Sequence, residues 1–209
     1  MNQKNNSKNI KNIIFDFGGV LVDWNPRYYF KNHFKDDERM EYFLRNIAVD
    51  EWNAEQDRGR TTKEGTEILV KKHPEWEQEI RGYYDNWTTM LRAEIPENVA
   101  VLRKLAKTDY ELFGLTNWSH ETFPYALENY DFFQLFEGKI VVSAEEKLIK
   151  PDPAIWNLLL ERYQINAEES VFIDDNAKNI EAAKKLGFIT VHITDNTDLE
   201  AELESLEIF

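Results

Sequence analysis

Asn12 to Val20 reads NIIFDFGGV, a short apolar run that closes on Asp16 and breaks at Gly18-Gly19. Four further runs share its character: Tyr110 to Leu115 (YELFGL), Lys139 to Ser143 (KIVVS), Ser170 to Asp174 (SVFID) and Phe188 to Ile193 (FITVHI). Short segments dense in Ile, Val, Leu and Phe are strands covered on both faces, the habit of a parallel sheet. Helical patterns lie between the later runs, over Glu97 to Lys107, Glu121 to Asn129, Pro153 to Tyr163 and Ala177 to Leu186. Gly187 follows the last of these as a helix-terminating glycine. Strand and helix alternating through right-handed crossovers predict an α/β fold, a Rossmann-like doubly wound parallel sheet.

The first two runs break that rhythm. Roughly 90 residues separate them, whereas a crossover needs only about a dozen. Those residues contain no convincing strand, and the excess, 25–94, is helical in character: PRYYFKNHF, DDERMEYFLRNIA, TTKEGTEILVKKH and PEWEQEIRGYYDNWTTML. It is expected to form an inserted all-α cap domain, leaving 1–24 and 95–209 as the α/β core. Asn25-Pro26 and Ile95-Pro96 mark the two joints, because proline disfavours helix in the residue before it. The acidic stretch DNTDLEAELESLEIF is read as a final amphipathic helix with a solvated charged face.

At 209 residues the chain can bury a full core with room for an insertion. It has no cysteine, which excludes disulfides, thiolate metal sites and thiol catalysis and fits a reducing cytosol. No signal-peptide pattern or membrane-spanning run occurs, so the expected location is cytoplasmic and no membrane partner is expected. MNQKNNSKNIKN reads as a short disordered tail. A formal charge of −14 repels polyphosphate backbones and argues against a nucleic-acid partner.

In an open parallel sheet the ligand site lies beyond the carboxyl ends of the strands. Four strands put polar residues there: Asp16 before Phe17-Gly18-Gly19, Thr116-Asn117, Lys150 in KLIKPDP, and Asp174-Asp175. Singly these are ordinary turn, cap or surface residues. Together, three carboxylates, an ammonium and a hydroxyl at one sheet edge would be left unsatisfied without a ligand, and a divalent cation plus a phosphate satisfies all of them.

In sequence order IIFDFGGVLVDW, LFGLTNWS, KLIKPDPAIW and VFIDDNAKNIEAAKKLG resemble the four signature motifs of the haloacid dehalogenase superfamily. The helical insertion after the first motif resembles that superfamily's C1-type cap, and the Gly at position 18 resembles bacterial α-glucose-1-phosphatase-like members. The resemblance implies a Mg²⁺-dependent phosphatase of a small phosphorylated metabolite, in which Asp16 attacks phosphorus to give an aspartyl-phosphate. It implies Mg²⁺ ligation by Asp16, the Gly18 carbonyl and Asp175, with Asp174 directly or through water. Thr116, Asn117 and Lys150, with the Phe17-Gly18 turn, would hold the phosphoryl group, and Asn176 and Asn179 would orient the others.

Most phosphatases of the superfamily carry an acid/base Asp where this chain has Gly18, a contribution of roughly 10²–10⁴-fold. Either Glu55, Asp57 or Arg58 of the EQDRGR segment supplies the missing function, or the substrate has an easy leaving group, such as a hexose 1-phosphate. Arg58 and Arg60 are candidate substrate contacts. Trp24, Trp52, Trp76 and Trp87, with Tyr28, Tyr29, Tyr83 and Tyr84, are read chiefly as the cap's own core. The alternatives are a haloacid dehalogenase, in which Asp16 attacks carbon, and a weakly catalytic phosphometabolite-binding protein. Asp174-Asp175 argues against the first, because dehalogenases resemble Ser-Ser-Asn there. The retained nucleophile argues against the second.

Overall fold

The computed structural model describes residues 9–209, and the expected tail over 1–8 lies outside the described residues. The five predicted runs become β1 (Asn12–Phe15), β4 (Glu111–Thr116), β5 (Ile140–Val142), β6 (Ser170–Asp174) and β7 (Ile189–His192), all parallel, in the order β5-β4-β1-β6-β7. β1 is central and pairs with β4 on one side and β6 on the other, so the residues that follow these three strands are neighbours. Ile13, Ile14, Phe15, Leu115, Phe172 and Ile173 are completely or almost completely buried, as strands covered on both faces require.

Helices cover the two faces and bury two separate apolar clusters. The first packs Phe15, Phe17 and Ile173 with α6 (Pro96–Leu105), α7 (Phe123–Asn129) and α11 (Leu199–Ser205). On the other face Ile14 and Phe172 meet Trp156 and Leu159 of α9 (Pro153–Tyr163) and Ile180 of α10 (Ala177–Lys185). Gly187 has φ +95°, and the Gly187 and Phe188 amides donate to Lys184 and Ala183 carbonyls, so this glycine ends α10 as read from the sequence. No helix among the described residues is long and apolar enough to cross a membrane.

Between β1 and β4 lie α1 (Arg27–His33), α2 (Asp37–Asn46), α3 (Asp50–Asp57), α4 (Thr62–Lys72) and α5 (Glu77–Asp85), which enclose a third cluster around Phe30, Phe43, Trp52, Ile80 and Tyr83. One expectation fails here: the segment is not free of strand. β2 (Val22–Trp24) and β3 (Leu91–Glu94) pair antiparallel, with Val22 opposite Glu94 and Trp24 opposite Leu91. The ribbon draws the two ends of the insertion together. At three and four residues these strands are too short to show an alternating pattern, and β3 reads LRAE.

A candidate active site at the sheet edge

Asp16 follows β1, and its amide is fixed by the Ile173 carbonyl of the neighbouring strand. One carboxylate oxygen accepts from the Phe17 amide at 2.7 Å, and the other lies 2.9 Å from Lys150 Nζ. The Lys150 ammonium also donates to Asp174 Oδ2 at 2.7 Å and to the Leu115 carbonyl at 2.8 Å, so its three N–H groups are all engaged. Its side chain is fully buried. Asn117 holds this lysine by the backbone: its side-chain amide donates to the Lys150 carbonyl at 3.0 Å and accepts from the Lys150 amide at 2.9 Å.

Asp174, buried at the end of β6, accepts from Asn179 Nδ2 at 3.0 and 3.1 Å and from the Asn176 amide at 2.8 Å. Asn176 uses its side chain to cap α10, accepting from the Lys178 amide. Thr116 is buried at the end of β4, and its hydroxyl has no partner among the described residues. Phe17 offers the site only its backbone, since its ring is buried against Phe123, Phe133 and Phe136.

Oxygen atoms of Asp16, Asp174 and Asp175 lie within 4.8 Å of one another, a spacing one ion can bridge. Three carboxylates face one ammonium, and Asp16 and Asp175 are held above the ordinary carboxylate range. Burial pushes Asp16 up to about 7, opposed by Lys150 and reinforced by Asp174 and Asp175. Burial and then Asp174 also raise Asp175. Burial works against the Lys150 charge, yet Asp16 and Asp174 outweigh it and hold its pKa above the ordinary lysine value. A hard divalent cation with oxygen ligands fits this donor set in charge and in chemistry.

The turn after Asp16 is shaped for that cluster. Gly19 has φ +70°, and a Cβ there would lie 2.3 Å from Asp175 Oδ2. Gly19→Ala is therefore expected to push the Asp175 carboxylate aside and weaken Mg²⁺ binding by roughly 10- to 100-fold, the range for loss of a group that orients a metal ligand. Calorimetric titration with Mg²⁺ measures this, and an unchanged affinity would refute the placement of Asp175 at the ion.

Gly18 differs from Gly19, because nothing lies within 4 Å of a Cβ built on it. The space above it belongs to a cavity of about 100 Å³ walled by Trp24, Tyr84, Trp87 and Trp118, with Asn53 and Asp57. Of the EQDRGR residues only Asp57 reaches this wall. Glu55 and Arg58 are exposed, 3.7 Å apart. Arg60 is turned back onto α3, donating to Gln56 Oε1 at 2.6 Å and to the Trp52 carbonyl at 3.0 Å. Arg58 and Arg60 thus do not line the cavity. Trp24, Trp52 and Trp76 pack in or against the helical cluster as expected, while Trp87 and also Trp24 line the cavity.

A parallel sheet whose central strand carries a buried aspartate, beside a lysine and two more aspartates, defines a hydrolase-type α/β site. The chain belongs to the haloacid dehalogenase-like hydrolase family, whose model matches residues 13–193. It is 29% identical over 202 residues to a sesquiterpene phosphatase of Aspergillus oryzae, covering 94% of this chain and 96% of that one. It is 27% identical over 217 residues to a D-ribitol-5-phosphate phosphatase of Bacteroides thetaiotaomicron, covering 93% and 97%. A family enzyme of Bacteroides thetaiotaomicron solved with magnesium and inorganic phosphate has the same fold, with TM-score 0.69, 23% identity and coverage of 92% and 98%.

Proposed function

We propose that this chain is a Mg²⁺-dependent phosphatase of a small phosphorylated metabolite, with 25–94 acting as a cap domain over a core of 1–24 and 95–209. The observation that carries this reading is the meeting of Asp16, Asp174 and Asp175 within 4.8 Å of one another, beside the fully buried Lys150. Asp16, Asp175 and the Gly18 carbonyl would hold the ion, with Asp174 nearby. Bound there, Mg²⁺ supplies positive charge to the phosphoryl oxygens and keeps the carboxylates ionised.

Asp16 then attacks phosphorus in line, and the P–O bond to the alcohol breaks as the aspartyl-phosphate forms. Water hydrolyses that acyl phosphate in the second step. The Thr116 hydroxyl, free of other partners among the described residues, and the Asn117 backbone amide would bind phosphoryl oxygens, and the Phe17 amide would join them by releasing Asp16. Lys150, with its donors engaged, sets the position and charge of Asp16 and Asp174, and would contact phosphate only by releasing one of them. The acidic pair and its buried cation also favour this reading over attack at carbon, which requires no metal.

The two phosphatase relatives are named for very different alcohols, a terpenoid and a polyol. The cavity favours an apolar one. Most of its polar side chains are already paired, Asn53 with Tyr84 and Asp57, Asn117 with the Lys150 backbone, and Thr122 with Trp118 Nε1, while Trp24 Nε1 is buried without a partner among the described residues. A hexose would bring several hydroxyls against aromatic walls, and each buried hydroxyl left unpaired costs about 1–3 kcal/mol. An apolar alcohol therefore ranks ahead of the hexose 1-phosphate suggested by Gly18. A phosphometabolite panel tests both points. Hydrolysis is expected to vanish with excess chelator and return with Mg²⁺, and prenyl or aryl phosphates should exceed hexose 1-phosphates in kcat/KM. Undiminished hydrolysis in chelator defeats the metal assignment, and the reverse ranking defeats the apolar site.

A further inference from the structure

The cavity that Gly18 lines carries an acidic residue outside the three-aspartate cluster. Asp57 is the last residue of α3, and the space above Gly18 and the Asp57 carboxylate belong to one cavity. Asp57 is fastened to the core rather than left to swing with the helices. Its carbonyl accepts from Ser143 Oγ at 2.5 Å, and that hydroxyl in turn accepts from the Trp118 amide at 2.9 Å. Next along the chain Gly59 sits so close to the core that a Cβ there would lie 2.9 Å from the Ala144 carbonyl. The Thr62 amide donates to Glu121 Oε2 at 2.8 Å, a further link between insertion and core. On its own side Asp57 Oδ2 accepts from Asn53 Nδ2 at 3.1 Å, and Asn53 is fixed by the Tyr84 hydroxyl at 2.8 Å.

Resting on the phosphatase reading, we propose that Asp57 is the general acid and base of the reaction, delivered from the helical insertion into the space that Gly18 leaves open. In the first step the Asp57 carboxylic acid gives its proton to the leaving oxygen as the P–O bond breaks, so the alcohol departs neutral. In the second the Asp57 carboxylate takes a proton from the water that attacks the aspartyl-phosphate. Phosphate leaves, Asp16 is freed and Asp57 is protonated again, so the cycle balances as ester plus water to alcohol plus phosphate.

The environment suits both roles. Burial pushes Asp57 up to about 7, against the Ser119 backbone and the charge of Lys150, so both protonation states are populated near neutrality. The charged and titratable groups that act on it are Lys150 from the core and Tyr83 and Tyr84 from α5, with Arg60 and Glu121 acting in turn on Tyr84.

Pre-steady-state kinetics with Mg²⁺ and excess substrate test the assignment, using a nitrophenyl phosphate, whose leaving group needs no proton, and a simple alkyl phosphate, whose leaving group does. In Asp57→Asn the nitrophenyl ester is expected to give a burst of nitrophenol near one equivalent, followed by turnover slowed roughly 10²–10⁴-fold. The alkyl ester is expected to show no burst, its first step falling by a comparable factor. Adding Gly18→Asp to Asp57→Asn should restore the alkyl reaction, since a Cβ at position 18 meets no neighbour within 4 Å. The burst amplitude itself shows that the variant is folded. An equal loss of first-step rate for both esters, or no loss for either, overturns the proposal.

Should Asp57→Asn fail to fold, the wild-type protein decides. A first-step rate nearly independent of leaving-group acidity, and falling as pH rises through about 7 because the acid must hold its proton, supports Asp57. A steep dependence with no such limb overturns it. If wild-type protein hydrolyses neither ester, the phosphatase reading fails before the Asp57 assignment is reached.

Discussion

Asp16→Asn is expected to remove turnover by more than about 1,000-fold while leaving the fold and its thermal transition in place. The amide matches the carboxylate in size, can still accept from the Phe17 amide, and leaves the Ile173 carbonyl contact of the backbone untouched. What it lacks is the free oxygen lone pair with negative charge that must bond to phosphorus. It also relieves a carboxylate that burial and two neighbouring aspartates hold up to about 7, so stability without metal should not fall. Steady-state hydrolysis of an aryl phosphate, with mass spectrometry to exclude deamidation, measures the loss. Retention of even a tenth of wild-type activity would rule out the covalent route.

The strand-end residues were legible because their positions follow from strand assignment alone. Asp16, Thr116 and Asp174 end or follow β1, β4 and β6, and these strands are neighbours in the sheet. Lys150 was found for a different reason, since it ends no strand: it precedes α9, whose Pro153 and Asp152 cap are visible in KPDP. Its engagement with three acceptors was not legible, because the Leu115 carbonyl is supplied by the strand pairing and not by any motif. The side chain of Asn117 was likewise hidden: its neighbour is Lys150, 33 residues away.

Within EQDRGR the sequence left Glu55, Asp57 and Arg58 open. Helix phase separates them. Asn53 and Asp57 are four residues apart on one face of α3 and share a hydrogen bond, while Glu55 and Arg58 point to solvent. The phase was readable, but which face meets the core was not, since that depends on Ser143 reaching the Asp57 carbonyl 86 residues away. Reading Trp87 as cap core erred for the same reason, whereas Trp24 packs against the helical cluster and also lines the cavity. Both lie at the ends of the insertion, beside the β2–β3 ribbon, where the walls of the cavity form.

Lys150→Met is expected to cost both activity and stability, and the stability loss is the more informative. Among the described residues the ammonium is the one cation within hydrogen-bonding reach of Asp16 and Asp174, its side chain has no exposed surface, and all its donors are used. Removing one member of a buried charge cluster leaves the others uncompensated, at about 3–5 kcal/mol. For a chain of this length each kcal/mol lowers the melting temperature by about 2–4 °C, so a drop of roughly 6–20 °C is expected in chelator. Mg²⁺ should then act as a partial substitute. Binding only the folded cluster, Mg²⁺ well above its dissociation constant should raise the melting temperatures of Lys150→Met and of the wild type alike. Activity should stay low even at saturating Mg²⁺, because the ion restores charge near Asp16 without restoring the contact at 2.9 Å that aims its carboxylate. Calorimetric melting of both proteins, with chelator and with Mg²⁺, separates these effects. A variant that melts with the wild type in chelator would show that the buried lysine is not what holds the three aspartates together.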